Sequence, residues 1–264
     1  MKPKKLYRHW AKSLQHLQAA LEREWPRCRK HGGVESIHRL RVLLRRARIY
    51  VRQGRAVLGR YDVRVFCDRA KTVSNAVGLV RDCDMALQWL RKAGAKPAEI
   101  DAIRKKRLRL WQAGRNKFKE PLAIPQPHNV KDASEKIARK VYSRLLETAK
   151  KAWQEVHACP TPIINLKNLQ WHELRRDLRR LRYLRELVLT PKQQRQDRLL
   201  RLLIHLQNLL GTAQNCQVTS TLLKSRPYKL KLAEERRKCL EKADSALDKL
   251  RKSREWRRIK SRIC

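Results

Sequence analysis

Acidic residues are scarce in this chain of 264 residues: 24 Asp and Glu stand against 66 Lys and Arg, for a formal net charge of +42 at pH 7. Solubility asks for far less. An excess of this size repels itself and implies a polyanionic partner, whether nucleic acid, an anionic membrane surface or a smaller phosphate polymer. Glycine is also rare, with 8 residues, and aromatic side chains make up only 6%. With so few turn formers and an abundance of Leu, Ala, Arg, Lys, Gln and Glu, helix is favoured almost throughout, and no segment shows the alternation of a strand. No run of 18 apolar residues occurs, so no membrane-spanning helix and no membrane insertion are expected. The basic Met1-Lys-Pro-Lys-Lys5 is not followed by an apolar run, so no export signal is read there. The 7 cysteines are odd in number, widely spaced and without a C-x-x-C pair, which fits free thiols in a reducing cytosol. The expectation is a soluble, cytoplasmic, all-α protein.

Against this background one stretch is repeated. Ile37-His-Arg-Leu-Arg-Val-Leu-Leu-Arg-Arg-Ala-Arg48 and Trp171-His-Glu-Leu-Arg-Arg-Asp-Leu-Arg-Arg-Leu-Arg182 share the pattern H-x-x-R-x-x-x-R-R-x-R, 134 residues apart. At about 100° per residue, His38, Arg41, Arg45, Arg48 and Arg52 form one stripe of a helix, and Ile37, Leu40, Leu44, Ala47 and Val51 form an apolar stripe beside it. In the copy, His172, Arg175, Arg179 and Arg182 make the basic line, with Leu174, Leu178 and Leu181 as the apolar one. Arginines aligned in this way repel one another. Residues 37–52 contain no acidic side chain, whereas the copy has Glu173, Asp177 and Glu186 close at hand. An external polyanion is therefore the expected counter-charge for the first copy. The competing reading is a solvated face screened by salt.

The order of elements repeats as well. Expected helices run from about Tyr7 to Glu24, ending before Pro26; through His38 to Gly54 or Gly59; from Tyr61 to Gly78, with Met85–Lys92 continuing after Leu79–Asp84; and from Ala98 to about Lys119. The prolines at 121, 125 and 127 mark a linker, 121–130. Beyond it come helices from Lys131 to Glu155, through His172 to Pro191, from Arg195 to Leu210, and from Leu230 to the C-terminus. Gly211-Thr-Ala-Gln-Asn215 stands where Gly78-Leu-Val-Arg-Asp82 stood, 39 and 40 residues after the respective histidines. This registry reads as an internal repeat, with residues 1–120 and 131–264 as its halves.

Paired H-x-x-R-x-x-x-R-R-x-R helices, each followed some forty residues later by a Gly-x-x-Arg/Gln-Asp/Asn turn, resemble the CHAD domain, the conserved histidine α-helical domain. The resemblance covers residues 7 to 260 or so. It implies two four-helix bundles related by pseudo-twofold symmetry, with both motif helices facing a central basic groove, together forming a single domain. It also implies binding of inorganic polyphosphate, often at polyphosphate granules. By motif position, His38, Arg41, Arg45, Arg46 and Arg48 would line one side of that groove and His172, Arg175, Arg179, Arg180 and Arg182 the other. Arg52 joins by helical geometry, and Lys71 and Arg201 are added from the helices that follow. Gln214-Asn215 in place of Arg81-Asp82, and Glu173 in place of Arg39, set the second half apart. Family members are often fused to a triphosphate-tunnel domain of the CYTH type. Its E-x-E-x-K signature is missing, since Glu22-Arg-Glu24 is followed by Trp25-Pro26, which reads as a stand-alone member.

The chemistry suits a phosphate chain. Such a polymer offers no bases to stack on, so it needs a matching line of cations. Residues 38 to 52 spread over roughly 20 Å of helix, and each arginine can donate twice to one phosphoryl group. His38 and His172 would bind better protonated, the alternative for each being a packing histidine. Arg81 and Asp82 read as a local ion pair or helix-start contact. Other patterns fail: Gly54-Arg-Ala-Val-Leu-Gly59-Arg60-Tyr61 lacks the Lys and Ser/Thr of a phosphate loop, and Cys28-x-x-His31 and His157-x-Cys159 lack a second pair for a metal. With no catalytic carboxylate pair or activated nucleophile, the expectation is a binding module without cofactor, metal or turnover. Two other readings stand beside it: a non-specific RNA- or DNA-binding protein, with nucleic acid otherwise a weaker competitor, and a phosphohydrolase or phosphotransferase using the histidines.

Overall fold

Apolar residues at helical spacing, interrupted by few glycines, build helices and almost nothing else. In the computed structural model, which describes residues 2–118, 120–128 and 130–259, every regular element is helical. The order is α1 (Pro3–His31), α2 (Val34–Gln53), α3 (Arg60–Lys92) and α4 (Pro97–Arg115), then a 3-10 turn (Asn116–Phe118). After the proline-rich stretch come α5 (Glu135–Ala158), a second 3-10 turn (Ile163–Asn165), α6 (Asn168–Val188), the short α7 (Pro191–Gln196), α8 (Arg198–Leu222), α9 (Arg226–Lys252) and α10 (Arg254–Ile259). No helix among the described residues is long and apolar enough to cross a membrane.

The chain forms two compact units. One takes in residues 11–129 and 217–230; the other takes residues 1–10, 130–216 and 231 onward. The division therefore differs from a cut at the linker, because the first ten residues belong with the second half and 217–230 with the first. In the unit carrying α2, that helix packs on α3, and α3 on α4. Its core takes Leu14, Leu17 and Leu21 from α1, the whole apolar stripe Ile37, Leu40, Leu44, Ala47 and Val51 from α2, and Val63, Phe66, Ala70, Val73 and Val77 from α3. Each large aliphatic side chain so buried contributes about 1.5–3 kcal/mol. In the other unit α6 packs on α5, and Val141, Leu145, Ala149 and Val156 of α5 are buried, as are Trp171, Leu174, Leu178 and Leu181 of α6.

Three expected breaks are not breaks. α1 continues past Pro26, because Trp25 and Cys28, buried on either side of it, hold the next turn against the core. It stops instead at Gly32, whose φ of 54° suits a residue without Cβ, and where any Cβ would overlap the Trp111 ring. The stretches Gly78–Asp82 and Gly211–Asn215, expected as turns, lie within α3 and α8. The proline-rich linker is anchored at its start. Phe118 sits between Trp25 and Trp111, with ring centroids 5.1 and 5.6 Å away. Leu122 and Ile124 are buried, and the Ile124 N–H donates to Gln18 Oε1 at 2.7 Å. The expected C-terminal helix is α9 and α10, and residues 260–264 lie outside the described residues.

Candidate functional site

Burial of the apolar stripe of α2 decides where its arginines go. Arg41, Arg45, Arg46 and Arg48 are half-buried along the flank of the core, while His38 and Arg52 at the two ends are exposed. Arg41 lies across α3: its Nη1 donates to the Ser74 carbonyl at 3.2 Å, and a Cβ at Gly78 would collide with its guanidinium. Burial lowers the Arg41 pKa to about 10, with Arg45 adding to the effect and Asp82 opposing it. Arg48 is likewise pushed down by burial and then by Arg52, and Cys67 and Asp68 of α3 work against this. The Nε–H groups of Arg45 and Arg48 are buried and find no acceptor among the described residues.

Arg41 thus meets α3 at Ser74 and Gly78, and Arg48 meets it near Cys67 and Asp68. Lys71 is exposed in the turn between these levels, on the side of α3 that carries Ser74 and Gly78. Arg81, one turn beyond Gly78, completes the set. It lowers the His38 pKa, second only to desolvation, with Arg45 and Arg41 acting the same way and Glu35 opposing. Burial raises the Asp82 pKa, and Arg41 and Arg81 hold it down. Arg81 and Asp82, expected as a local ion pair or a helix-start contact, are not at a helix start: both lie within α3, and Asp82 is acted on by Arg41 of α2 as well as by Arg81. The clue in the sequence was their fixed spacing from the histidine.

The decisive feature is what these arginines lack. Glu35, the only acid on α2, is taken by Arg39 at 3.0 Å. Among the described residues Arg41, Arg45, Arg48 and Arg52 form no ion pair.

The second copy of the motif is built otherwise. Arg180 bonds Asp177 at 2.5 Å, with the carboxylate 2% exposed. Arg182 bonds Glu186 at 2.8 Å and reaches Gln207 at 3.3 Å, and Arg185 pairs with Asp197 at 2.7 Å. Arg175 donates to Gln214 Oε1 at 2.8 Å, which also accepts from the Trp171 indole at 3.1 Å. Gln214 therefore does in neutral form what the Arg81 position does not. Glu186 occupies the repeat position of Arg52, and Asp177 that of Leu43. Burial raises the Asp177 pKa, against the pull of Arg180. Arg179 is half-buried on the same helix and His172 is exposed. Arg201 does not join the α6 face: it donates to the Arg195 carbonyl at 3.1 Å and lies about 120° around α8 from Gln207. Among the described residues no three His, Cys, Asp or Glu side chains come together as a metal site requires.

The profile of the CHAD domain matches residues 8–224, most of the chain, and the chain belongs to that family. Two solved structures share its fold. PptA from Streptomyces chartreusis superposes with a TM-score of 0.60 at 16% identity, over 93% of this chain and 98% of that one. The crystal structure of the CHAD domain from the plant Ricinus communis gives a TM-score of 0.60 at 15% identity, over 98% of this chain and 91% of that one. At such identities the likeness is one of fold. No curated protein matches the chain.

The glycines separate the two copies experimentally. Gly78→Ala displaces only the flexible end of Arg41 from α3, so the lost contact offsets much of the helix-propensity gain of up to about 1 kcal/mol, and stability is expected to change little. Gly211→Ala meets nothing within 4 Å and is expected to stabilise by up to about 1 kcal/mol through helix propensity. Urea unfolding of both variants checks that Gly211→Ala gains the more stability.

Proposed function

We propose that this protein binds inorganic polyphosphate along the basic face of α2, without catalysis, and does so at polyphosphate granules, as one internally repeated domain. The observation that carries the reading is the line Arg41, Arg45, Arg48 and Arg52, held at the edge of the core with no carboxylate paired to it, in a chain of the CHAD family. Half-buried guanidinium groups are partly stripped of water and fixed by packing. A chain of phosphoryl groups laid along them replaces lost hydration with charge-assisted hydrogen bonds and releases counterions. Arg46, His38, Lys71 and Arg81 extend the same face.

The second copy plays a different part in this reading. With Arg180, Arg182 and Arg185 matched by Asp177, Glu186 and Asp197, α6 is mainly structural, and Arg175, Arg179 and His172 make a lesser contribution to binding. Nucleic acid is the competing partner: a basic face satisfies any phosphate backbone, but α2 presents no aromatic side chain in its arginine line for bases to stack on.

Competition binding at near-physiological salt separates these. Labelled long-chain polyphosphate is expected to resist displacement by single-stranded RNA and duplex DNA at equal phosphate concentration. Arg45→Ala is expected to weaken polyphosphate binding about tenfold, the scale of one lost charge-assisted contact, and His38→Ala to weaken it less. Equal competition by all polyanions with no effect of Arg45→Ala would remove the α2 face from the account. Phosphate release from polyphosphate, abolished by His38→Ala, would show turnover instead.

The pH dependence has a definite sign. In the free protein the His38 pKa is lowered, so the imidazole is neutral near pH 7. A phosphoryl group beside it favours the charged form, and binding takes up a proton. Affinity is therefore expected to rise as pH falls from about 7 to 5.5, across the ordinary histidine range, and this rise should vanish in His38→Gln. Calorimetric titration at several pH values reads it directly.

A further inference from the structure

The α2 face runs into a cavity of about 540 Å³ in the same unit, lined among others by Glu35, Arg81, Asp84, Arg91, Arg104 and Arg107. Its charges are unevenly matched. Arg107 is fixed by two acceptors: its Nε donates to Asp84 Oδ1 at 2.5 Å and its Nη2 to the Gly32 carbonyl at 2.6 Å. The Asp84 carboxylate is wholly buried, and its Oδ2 has no hydrogen-bond partner among the described residues. Glu35 is already bound to Arg39. Arg104 pairs with Asp101 at 2.8 Å, but both are more than half exposed, so the pair is weak. Arg81 and Arg91 form no ion pair among the described residues. The first turn of α2 borders the cavity without a side-chain cap, which adds the positive end of a helix dipole.

Arg81 belongs to both places. It acts on His38 and Arg41 at the start of the α2 line and lines the cavity. A linear polyanion following α2 from Arg52 toward His38 therefore reaches this recess at its end.

The two kinds of phosphoryl group in such a polymer differ. An internal group carries one negative charge and continues in both directions. A terminal group ends the chain and carries about −1.5 to −2 at pH 7, the charge of a phosphomonoester. A recess with two unmatched arginines, a third loosely held and a fourth pre-oriented by Asp84 suits a compact doubly charged end better than a chain passing through.

We propose that this cavity is a chain-end site, in which Arg81, Arg91 and Arg104 bind the terminal phosphoryl group of polyphosphate and Arg107 forms the fixed wall. The assignment rests on the polyphosphate reading of the α2 face and adds a separate subsite to it. It makes the protein sensitive to the number of chain ends as well as to total phosphate.

The test is calorimetric titration of the full chain with orthophosphate, tripolyphosphate, long-chain polyphosphate, and long-chain polyphosphate whose ends are blocked as phosphoramidates. The proteins compared are the wild type, Arg45→Ala and Arg91→Ala/Arg104→Ala; Arg91 and Arg104 are exposed and outside the core, so the fold is retained. The double variant is expected to lose tripolyphosphate binding about tenfold or more and to bind the end-blocked polymer as wild type does. Arg45→Ala is expected to spare tripolyphosphate and weaken the long polymer. Tripolyphosphate binding unchanged in the double variant would overturn the chain-end site, as would orthophosphate binding as tightly as tripolyphosphate. Wild type that binds long polymer but not tripolyphosphate would overturn it too, and leave the α2 face standing. No binding of either would remove both.

Discussion

A helix that buries Ile37, Leu40, Leu44, Ala47 and Val51 cannot choose where Arg41, Arg45 and Arg48 go: the register of the apolar stripe draws them against the flank of the core. There they lose water, and desolvation is the largest influence on both Arg41 and Arg48. Like charges on successive turns add their own repulsion. Most features of this unit answer that constraint. Gly78 gives up its Cβ so that Arg41 can rest on the α3 backbone, the Ser74 carbonyl accepts from it, and Asp82 and Asp68 offset part of the charge from α3. What stays unbalanced faces outward, where the proposed phosphate polymer would lie.

The repeated half meets the same constraint from within. A buried carboxylate next to an arginine is costly to desolvate and strongly destabilising to unpair, and Asp177–Arg180 and Glu186–Arg182 neutralise two α6 arginines internally. Gln214 accepts from both Arg175 and the Trp171 indole, and nothing crowds Gly211, since no guanidinium needs its space. Both units nevertheless share one device. An arginine from a later helix closes the C-terminal end of an earlier one: Arg107 on the Gly32 carbonyl after α1, and Arg251 on the Val156 and Cys159 carbonyls at the end of α5. Cations at helix C-termini are favourable, and this is how some of the large basic excess is used internally.

Much of this was legible in the sequence. The apolar stripes of α1, α2 and α3 follow from periodicity alone, and the paired motif carries the family. The absence of acids between residues 37 and 52, set against Asp177 and Glu186 in the copy, already pointed to two differently neutralised helices. Three things were not legible. Pro26, Gly78 and Gly211 carry breaker signals that tertiary packing overrides, so helix ends were misplaced there. Arg81 and Asp82 looked like a local pair because sequence spacing does not show which way a residue on α3 faces. Arg91, Arg104 and Arg107 gave no signal at all, since the cavity they share draws on residues from α2, α3 and α4.

On the proposed reading, polyphosphate binds where arginines lack carboxylate partners. The most direct test gives the first repeat the acid that the second possesses, by making Arg52→Glu at the position matching Glu186, and measures the salt dependence of polyphosphate affinity. Reduced affinity together with a shallower slope of log K against log salt, by about two phosphate contacts as one cation is removed and another is paired internally, is the predicted result. An unchanged affinity and slope would show that the polymer binds elsewhere on the basic surface.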